Sequence, residues 1–263
     1  MMTDQRKYLY CVIQSEEPQE FGALGIGGSG HPLTTVHWQD LACVVSDSPL
    51  EDYPVSREYT LEHHRAIEAV RKRFPALLPV CFNTIAKGGE AMIIERVLKS
   101  RREEFLKLLD WVADKDEIGV KSYWRSMEPV YKRILEQSPD IKSWRDELAK
   151  RPPAARYYEQ IDLGKQIEAA LKSYREREGK RVVEFLKIHA VEVRQDPVYG
   201  DKWILNAAFF VNKSKITEFV QALEALGAQS DGNLVFKYTP DGAPFHFVEV
   251  RITWEESAHV SHR

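Results

Sequence analysis

Trp203-Ile204-Leu205-Asn206-Ala207-Ala208-Phe209-Phe210-Val211 contains one strongly polar residue, Asn206, in an otherwise apolar run rich in aromatic and β-branched side chains. Such a run reads as a strand covered on both faces, and therefore as the centre of a sheet. Downstream, Lys215 to Leu226 reads as a helix ended by Gly227. Leu234 to Tyr238 and Phe245 to Trp254 read as two strands joined by the turn-rich Pro240-Asp241-Gly242. Upstream, Asp196-Pro197 and Gly200-Asp201 mark a hairpin loop, which makes Val182 to Val193 the partner strand. Its alternation slips once, as a bulge would cause.

Further upstream, Tyr158 to about Arg177 sets Leu163, Ile167, Ala170, Leu171 and Tyr174 on one helical stripe. Gly164 lies beside that stripe. A glycine costs a helix about 1 kcal/mol against alanine, and close approach of the helix to a sheet is the expected compensation. Ile118 to Trp124 is the strand that begins the set, and the charged stretch from Met127 to Pro153 reads as a helical insertion. The resulting order, β-α-β-β-α-β, is the ferredoxin-like split βαβ plan with one extra strand.

The N-terminal part is also α+β. Tyr8 to Ile13 is an apolar strand, a glycine-rich loop covers Phe21 to Pro32, and Leu33–Trp38 with Leu41–Ser46 forms a hairpin about Gln39-Asp40. A helix from about Ser56 to Arg73 turns Tyr59, His63, Ile67, Val70 and Phe74 inward, and Pro75 ends it. Leu77 to Phe82 is a buried strand. After Gly88-Gly89 a long helix, about Glu90 to Asp110, carries Ile94, Val97, Leu98, Phe105, Leu108 and Leu109 on one face. Arg101 and Arg102 interrupt that face and are expected to lay their stems along it. The chain is thus read as two α+β domains: residues 1–115, and residues 116–256 with the helical insertion at about 127–157. Residues 257–263 form a frayed tail.

Composition narrows the function. The 263 residues are 43% hydrophobic and 29% charged with a net charge of −3, as in a globular protein with a packed core and no global pull toward nucleic acid. No window approaches the ~18 apolar residues of a membrane span, and the polar N-terminus lacks the apolar core of a signal peptide. The expectation is a soluble cytoplasmic protein. Cys11, Cys43 and Cys81 are isolated in apolar runs, with no CxxC pair, and read as buried free thiols.

Chemistry-bearing motifs are few. Gly25-x-Gly27-x-x-Gly30 matches a dinucleotide-binding pattern, but that pattern works only between a strand and a helix N-terminus. His31-Pro32 and a strand follow here, so a surface loop is expected. His63 reads as a core histidine with a hydrogen-bond partner. His64 and Glu68 share a helix face but supply two metal ligands at most, and His259 with His262 lies in the tail. Ser46-Asp47 and Asp231-Gly232 fall where turns use such residues. No GxSxG, HExxH or GxxxxGK[ST] occurs, so no catalytic residue, metal or cofactor is expected. The segment from Tyr238 to Val248 is dense in proline and aromatics. Tyr238, Pro244, Phe245 and Phe247 are its candidate partner-binding residues, because aromatics are enriched where proteins bind one another.

Seven segments in order resemble one family. Tyr8–Ile13 resembles its opening strand. Leu41-Ala42-Cys43-Val44-Val45-Ser46-Asp47 is similar to its DLAAVVS segment, and His63 with Ile67 to its HxxxL helix. Leu78–Ile85 resembles LPVRFGT, with Cys81 and Asn83 in place of the usual Arg and Gly. Ile161-Asp162-Leu163-Gly164-Lys165 resembles IELGR, and Leu205–Val211 resembles LNxAFLV. Tyr238-Thr239-Pro240 to Pro244–Val248 is similar to YTGPxPPYxFV. This is the gas vesicle protein F/L family (GvpF/GvpL). The resemblance implies a minor, non-enzymatic protein needed for gas vesicle formation. It also implies contact with the small apolar shell protein and other accessory proteins, and association with the vesicle. Two other classes stand beside it: a ferredoxin-like small-ligand-binding regulatory module, since fold alone does not fix function, and an enzyme working in a cleft.

Overall fold

The computed structural model describes residues 6–28, 30–152, 156–229 and 232–254. The expected tail at 257–263, with His259 and His262, lies outside these residues, as does Asp231. The chain divides into two compact units, residues 1–117 with 241–263 and residues 118–240.

The first unit is built on strand β1 (Lys7–Gln14), with β2 (Thr34–Trp38), β3 (Leu41–Asp47), β4 (Leu77–Pro79) and β5 (Ile85–Ala86). The sheet order is β2-β3-β1-β4, and β5 also pairs with β1. The β2–β3 hairpin turns at Gln39, whose φ of 54° lies in the left-handed region. Every residue from Tyr8 to Ile13 is fully buried, as an all-apolar central strand requires. Its register against β3 slips between Leu9 and Cys11. A one-residue bulge swaps faces, so Tyr8 and Tyr10 join Cys11 and Ile13 in a single cluster.

Helix α1 (Arg57–Arg71) packs on that cluster. Ser56 caps it by accepting the Tyr59 N–H at 3.2 Å, and His63, Ala66, Ile67 and Val70 face inward at spacings of three and four. The single helix expected at 90–110 is divided into α2 (Gly89–Ile93), a π-helical turn over Ile94–Lys99 and α3 (Arg102–Ala113). The break falls where Arg101 and Arg102 interrupt the apolar face. Arg101 leaves helical geometry at φ −120°, pairs with Glu104 and covers the Phe105 ring at 4.7 Å, while Arg102 reaches Asp40 at 2.8 Å.

In the second unit the elements run β6 (Lys115–Trp124, whose first residues belong to the first unit), α4 (Glu128–Gln137), α5 (Pro139–Ala149), α6 (Tyr157–Leu186), β7 (Glu192–Gln195), β8 (Trp203–Asn212), α7 (Ile216–Ala228) and β9 (Leu234–Gly242). Its antiparallel sheet has the order β7-β8-β6-β9. The expected central strand is there as β8, and the insertion is helical as α4 and α5. Asn206, the polar residue in β8, donates from its side-chain amide to Asp196 Oδ2 at 3.2 Å. The core joins Ile118, Val120 and Trp124 to Tyr174, Val182, Leu186, Phe209 and Phe219, with Trp124 stacked on Tyr174 at 5.6 Å.

Four expectations are corrected here. Val182–Leu186 forms the end of α6, not a strand, and β7 begins only at Glu192. Gly164 has no atom within 4 Å of where a Cβ would stand, whereas one on Gly179 would lie 3.0 Å from the Ile204 carbonyl oxygen of β8. The close approach of helix and sheet is at Gly179. Gly227 lies inside α7 rather than beyond its end. Finally, 245–254 is not a strand. β9 runs on through Pro240 to Gly242, the chain turns at 245–247, and Val250 alone makes a β-bridge, to Val80. Residues 241–254 therefore pack with the first unit, where Ala243 joins its core, although the sequence reading kept them with the second.

The two glycines of α6 should respond oppositely to substitution. Gly164→Ala is expected to stabilise the protein by about 0.5–1 kcal/mol. Gly179→Leu should destabilise it by roughly 1–3 kcal/mol, because the added atoms press on a backbone carbonyl. Urea unfolding of the two variants beside wild type checks this, and equal shifts at both sites would contradict it.

Candidate functional site

The glycine-rich loop is closed by the chain's own oxygens. Gly27 and Gly28 have φ of 88° and 62°, conformations open to glycine and strained for other residues. The Ile26 N–H donates to Tyr10 Oη at 2.8 Å, the Gly27 N–H to Glu62 Oε2 at 2.8 Å, and the Gly25 N–H to the His31 carbonyl at 2.9 Å. A carboxylate thus occupies the place that an anion would take, and β2 rather than a helix follows.

Beneath the loop lies a buried network of hydroxyl and ring groups. The Asn83 N–H donates to Tyr8 Oη at 2.9 Å, and that hydroxyl meets His63 Nδ1 at 3.1 Å. The backbone at Val80 also lies against the His63 ring. Tyr10 Oη lies 2.9 Å from Ser46 Oγ, and Tyr53 stands edge-on to Tyr8 at 5.5 Å. Burial pushes the Tyr8 phenol up, Tyr10 up to about 12, and His63 down to about 4. Near neutral pH these groups are all uncharged and each is hydrogen-bonded within the unit, which suits them to holding loop, helix and sheet together. The thiols behave alike: burial raises Cys11 and Cys43, and raises Cys81 to about 12 with Glu249 adding to the effect. Ser46 and Asp47 end β3, with Ser46 serving Tyr10. Among the described residues no group of three or more His, Cys, Asp or Glu is arranged for a metal, and no helix is long and apolar enough to cross a membrane.

The candidate partner-binding residues separate between the two units. Tyr238 lies on β9 in the second unit and is 42% exposed. The other three lie in the first unit. Pro244 is buried, Phe247 is half-buried, and Phe245 stacks on His64 with ring centroids 4.3 Å apart and planes 10° from parallel. Two carboxylates that the sequence reading did not single out for this role hold the segment. Glu68 Oε1 accepts the Ala243 N–H at 3.1 Å. Glu117 accepts the His246 N–H on Oε2 at 2.9 Å and meets His246 Nδ1 with Oε1 at 2.6 Å. Glu117 is buried in β6, and the available signal was a carboxylate beside the apolar Ile118-Gly119-Val120 run. Asp116, next to it, pairs with Arg71 at 2.5 Å.

The profile of the family described as gas vesicle synthesis protein GvpL/GvpF matches residues 6–249. The gas vesicle protein F of Streptomyces sp. (strain CB03234) is 30% identical over 246 residues, which cover 92% of this chain and 99% of that protein. The crystal structure of GvpF from Microcystis aeruginosa superimposes with a TM-score of 0.69 at 25% identity, over 92% of this chain and 98% of that one. The crystal structure of GvpF from Anabaena sp. PCC7120 shares the fold, with a TM-score of 0.72 at 21% identity over 98% and 100% of the two chains.

The buried His63 makes stability depend on pH. Its folded pKa, about 4, lies below the ordinary 6.5, so between those values the unfolded chain binds a proton that the folded one does not. The contribution is full above pH 6.5 and is lost as pH falls toward 4, amounting to up to about 3 kcal/mol. Urea unfolding at pH 7, 6, 5 and 4 should show this loss. His63→Gln should be weaker at pH 7 and flatter below it, and identical slopes for the two proteins would contradict the assignment.

Proposed function

This chain belongs to the gas vesicle synthesis protein GvpL/GvpF family, and from that premise we propose that it is a non-enzymatic assembly factor that contacts the small apolar shell protein of the gas vesicle. An accessory role in gas vesicle formation comes with the family. The contact, its place in the cytoplasm at the growing vesicle and the involvement of other accessory proteins are our reading. The observation that carries it is the match across nearly the whole length of the chain, both units included.

Physical chemistry supports the same reading. A very apolar shell protein needs a partner that covers it before it packs with its own kind, and apolar or strand-edge contact supplies such cover without any reaction. The buried phenols and imidazole of the first unit are engaged by partners within that unit: Tyr8 by His63, and Tyr10 by Ser46 and the Ile26 N–H. We read the element order of the second unit, with its strand order β7-β8-β6-β9, as a ferredoxin-like split βαβ domain. That scaffold presents Tyr238 on an outer strand. In the first unit, taken as a second domain, Pro244 and Phe245 would shape the segment from within and Phe247 would meet the partner.

The test is capture of the shell protein by purified chain. Tyr238→Ser combined with Phe247→Ser, in protein whose thermal unfolding is unchanged, should lower capture about tenfold, the effect of losing about 1.4 kcal/mol. Capture at the wild-type level would remove these residues from the contact. Loss of the gene from its host should leave cells without buoyant vesicles, and normal flotation would refute the role itself.

A further inference from the structure

The segment that completes the first unit is held there in two different ways. Residues 243–246 are anchored by side chains, through Glu68, Glu117 and the Phe245–His64 stack. Within residues 248–251 only Val250 pairs as a strand residue would, while the Val248 N–H donates back to the Pro244 carbonyl at 2.9 Å and the Arg251 carbonyl accepts from Arg101 Nη1 at 2.9 Å. The Val250 N–H donates to the Pro79 carbonyl at 2.9 Å and the Cys81 N–H to the Val250 carbonyl at 3.1 Å, making one parallel bridge between Val80 and Val250. The other side of this stretch is taken by β1, through the Cys11–Pro79 register and the Val80 N–H bond to the Tyr10 carbonyl. The segment therefore lies on the outer edge of the sheet. Its side chains alternate: Val248 and Val250 are 5% and 1% exposed, while Glu249 and Arg251 are exposed and paired with each other at 2.8 Å.

We propose that this outer edge, at Pro79-Val80-Cys81, is an acceptor site for an extended apolar segment, and that the chain's own residues 248–251 fill it until a strand of the shell protein takes their place. The proposal rests on the partner named in the preceding subsection. The resident segment defines the chemistry the site accepts: a parallel strand with β-branched residues at alternate positions, recognised through main-chain hydrogen bonds. A single bridge, with one further bond from Arg101 to the Arg251 carbonyl, is a small contact beside strands of five or six residues, so a longer partner strand can extend the pairing and displace it. The carboxylate anchors at 243–246 do not take part in the exchange. They keep the released segment close, so the edge is covered again when the partner leaves, as an unpaired edge would invite aggregation.

The experiment uses the full chain with two added cysteines. Val80→Cys with Val250→Cys, in a Cys81→Ser background, places a disulfide across the bridge, where the Cα separation of paired strands suits one. The probe is a fluorescent peptide copying residues 246–252. The oxidised form should not bind it, and the same protein after reduction should. A second variant, Val248→Ser with Val250→Ser, should bind at least tenfold more tightly than wild type. Equal binding by oxidised and reduced forms, or no binding by either opened form, overturns the proposal. Shell-protein capture separates the proposal from the reading beneath it. Equal capture by locked and opened forms keeps the partner and refutes the edge. Peptide binding with no capture by any form keeps the edge as an acceptor and refutes that partner.

Discussion

A strand sealed on both faces cannot leave a hydroxyl without a partner, and β1 carries two. Tyr8 and Tyr10 are fully buried, and a buried polar group left unpaired costs about 1–3 kcal/mol. Their bonds draw in the rest of the first unit. Tyr10 takes an amide of the glycine-rich loop and the Ser46 hydroxyl, while Tyr8 ties α1, through His63, to the backbone at Asn83. Asn83 accepts the Tyr53 N–H in turn and sits at φ 64°, a conformation that asparagine tolerates better than most residues. The bulge in β1 is what lets both tyrosines share a cluster with Ile13 and the apolar face of α1.

Much of this scaffold is written locally. The apolar runs of β1, β3 and β8, the Ser56 cap and the stripe of α1 follow from period and capping chemistry over a few residues. The misread elements are those whose state is set from elsewhere. Val182-Val183 favours a strand by its own propensity, but in α6 these residues continue the stripe of Leu171 and Tyr174 into the core, and packing outweighs propensity. The close approach expected at Gly164 falls instead at Gly179, where the carbonyl of Ile204 lies against the helix. Pro240-Asp241-Gly242 has the composition of a turn, yet β9 is an outer strand, where a missing N–H is tolerated.

The candidate contact region was legible as residues but not as geometry. Composition drew attention to Tyr238, Pro244, Phe245 and Phe247, and nothing in their spacing reveals that Glu68 and Glu117 clasp the backbone between them. Those bonds join positions 175 and 129 residues apart, a range over which periodicity is silent. The glycine motif is the opposite case. Its pattern was readable and its context already argued against a phosphate, and the structure adds the reason: Glu62 supplies the negative charge from within.

The second unit is one uninterrupted stretch of chain, whereas the first is assembled from both ends of the sequence. During synthesis the ribosome releases the N-terminal part long before residues 241–254 exist. Until then Glu117 has no His246 to clasp and the sheet lacks its outermost member. The contiguous unit is free to fold while translation continues, and the N-terminal sheet is sealed only once residues 241–254 have been made. A nascent polypeptide paused before that point would display, for as long as the pause lasts, the edge that the finished protein keeps covered.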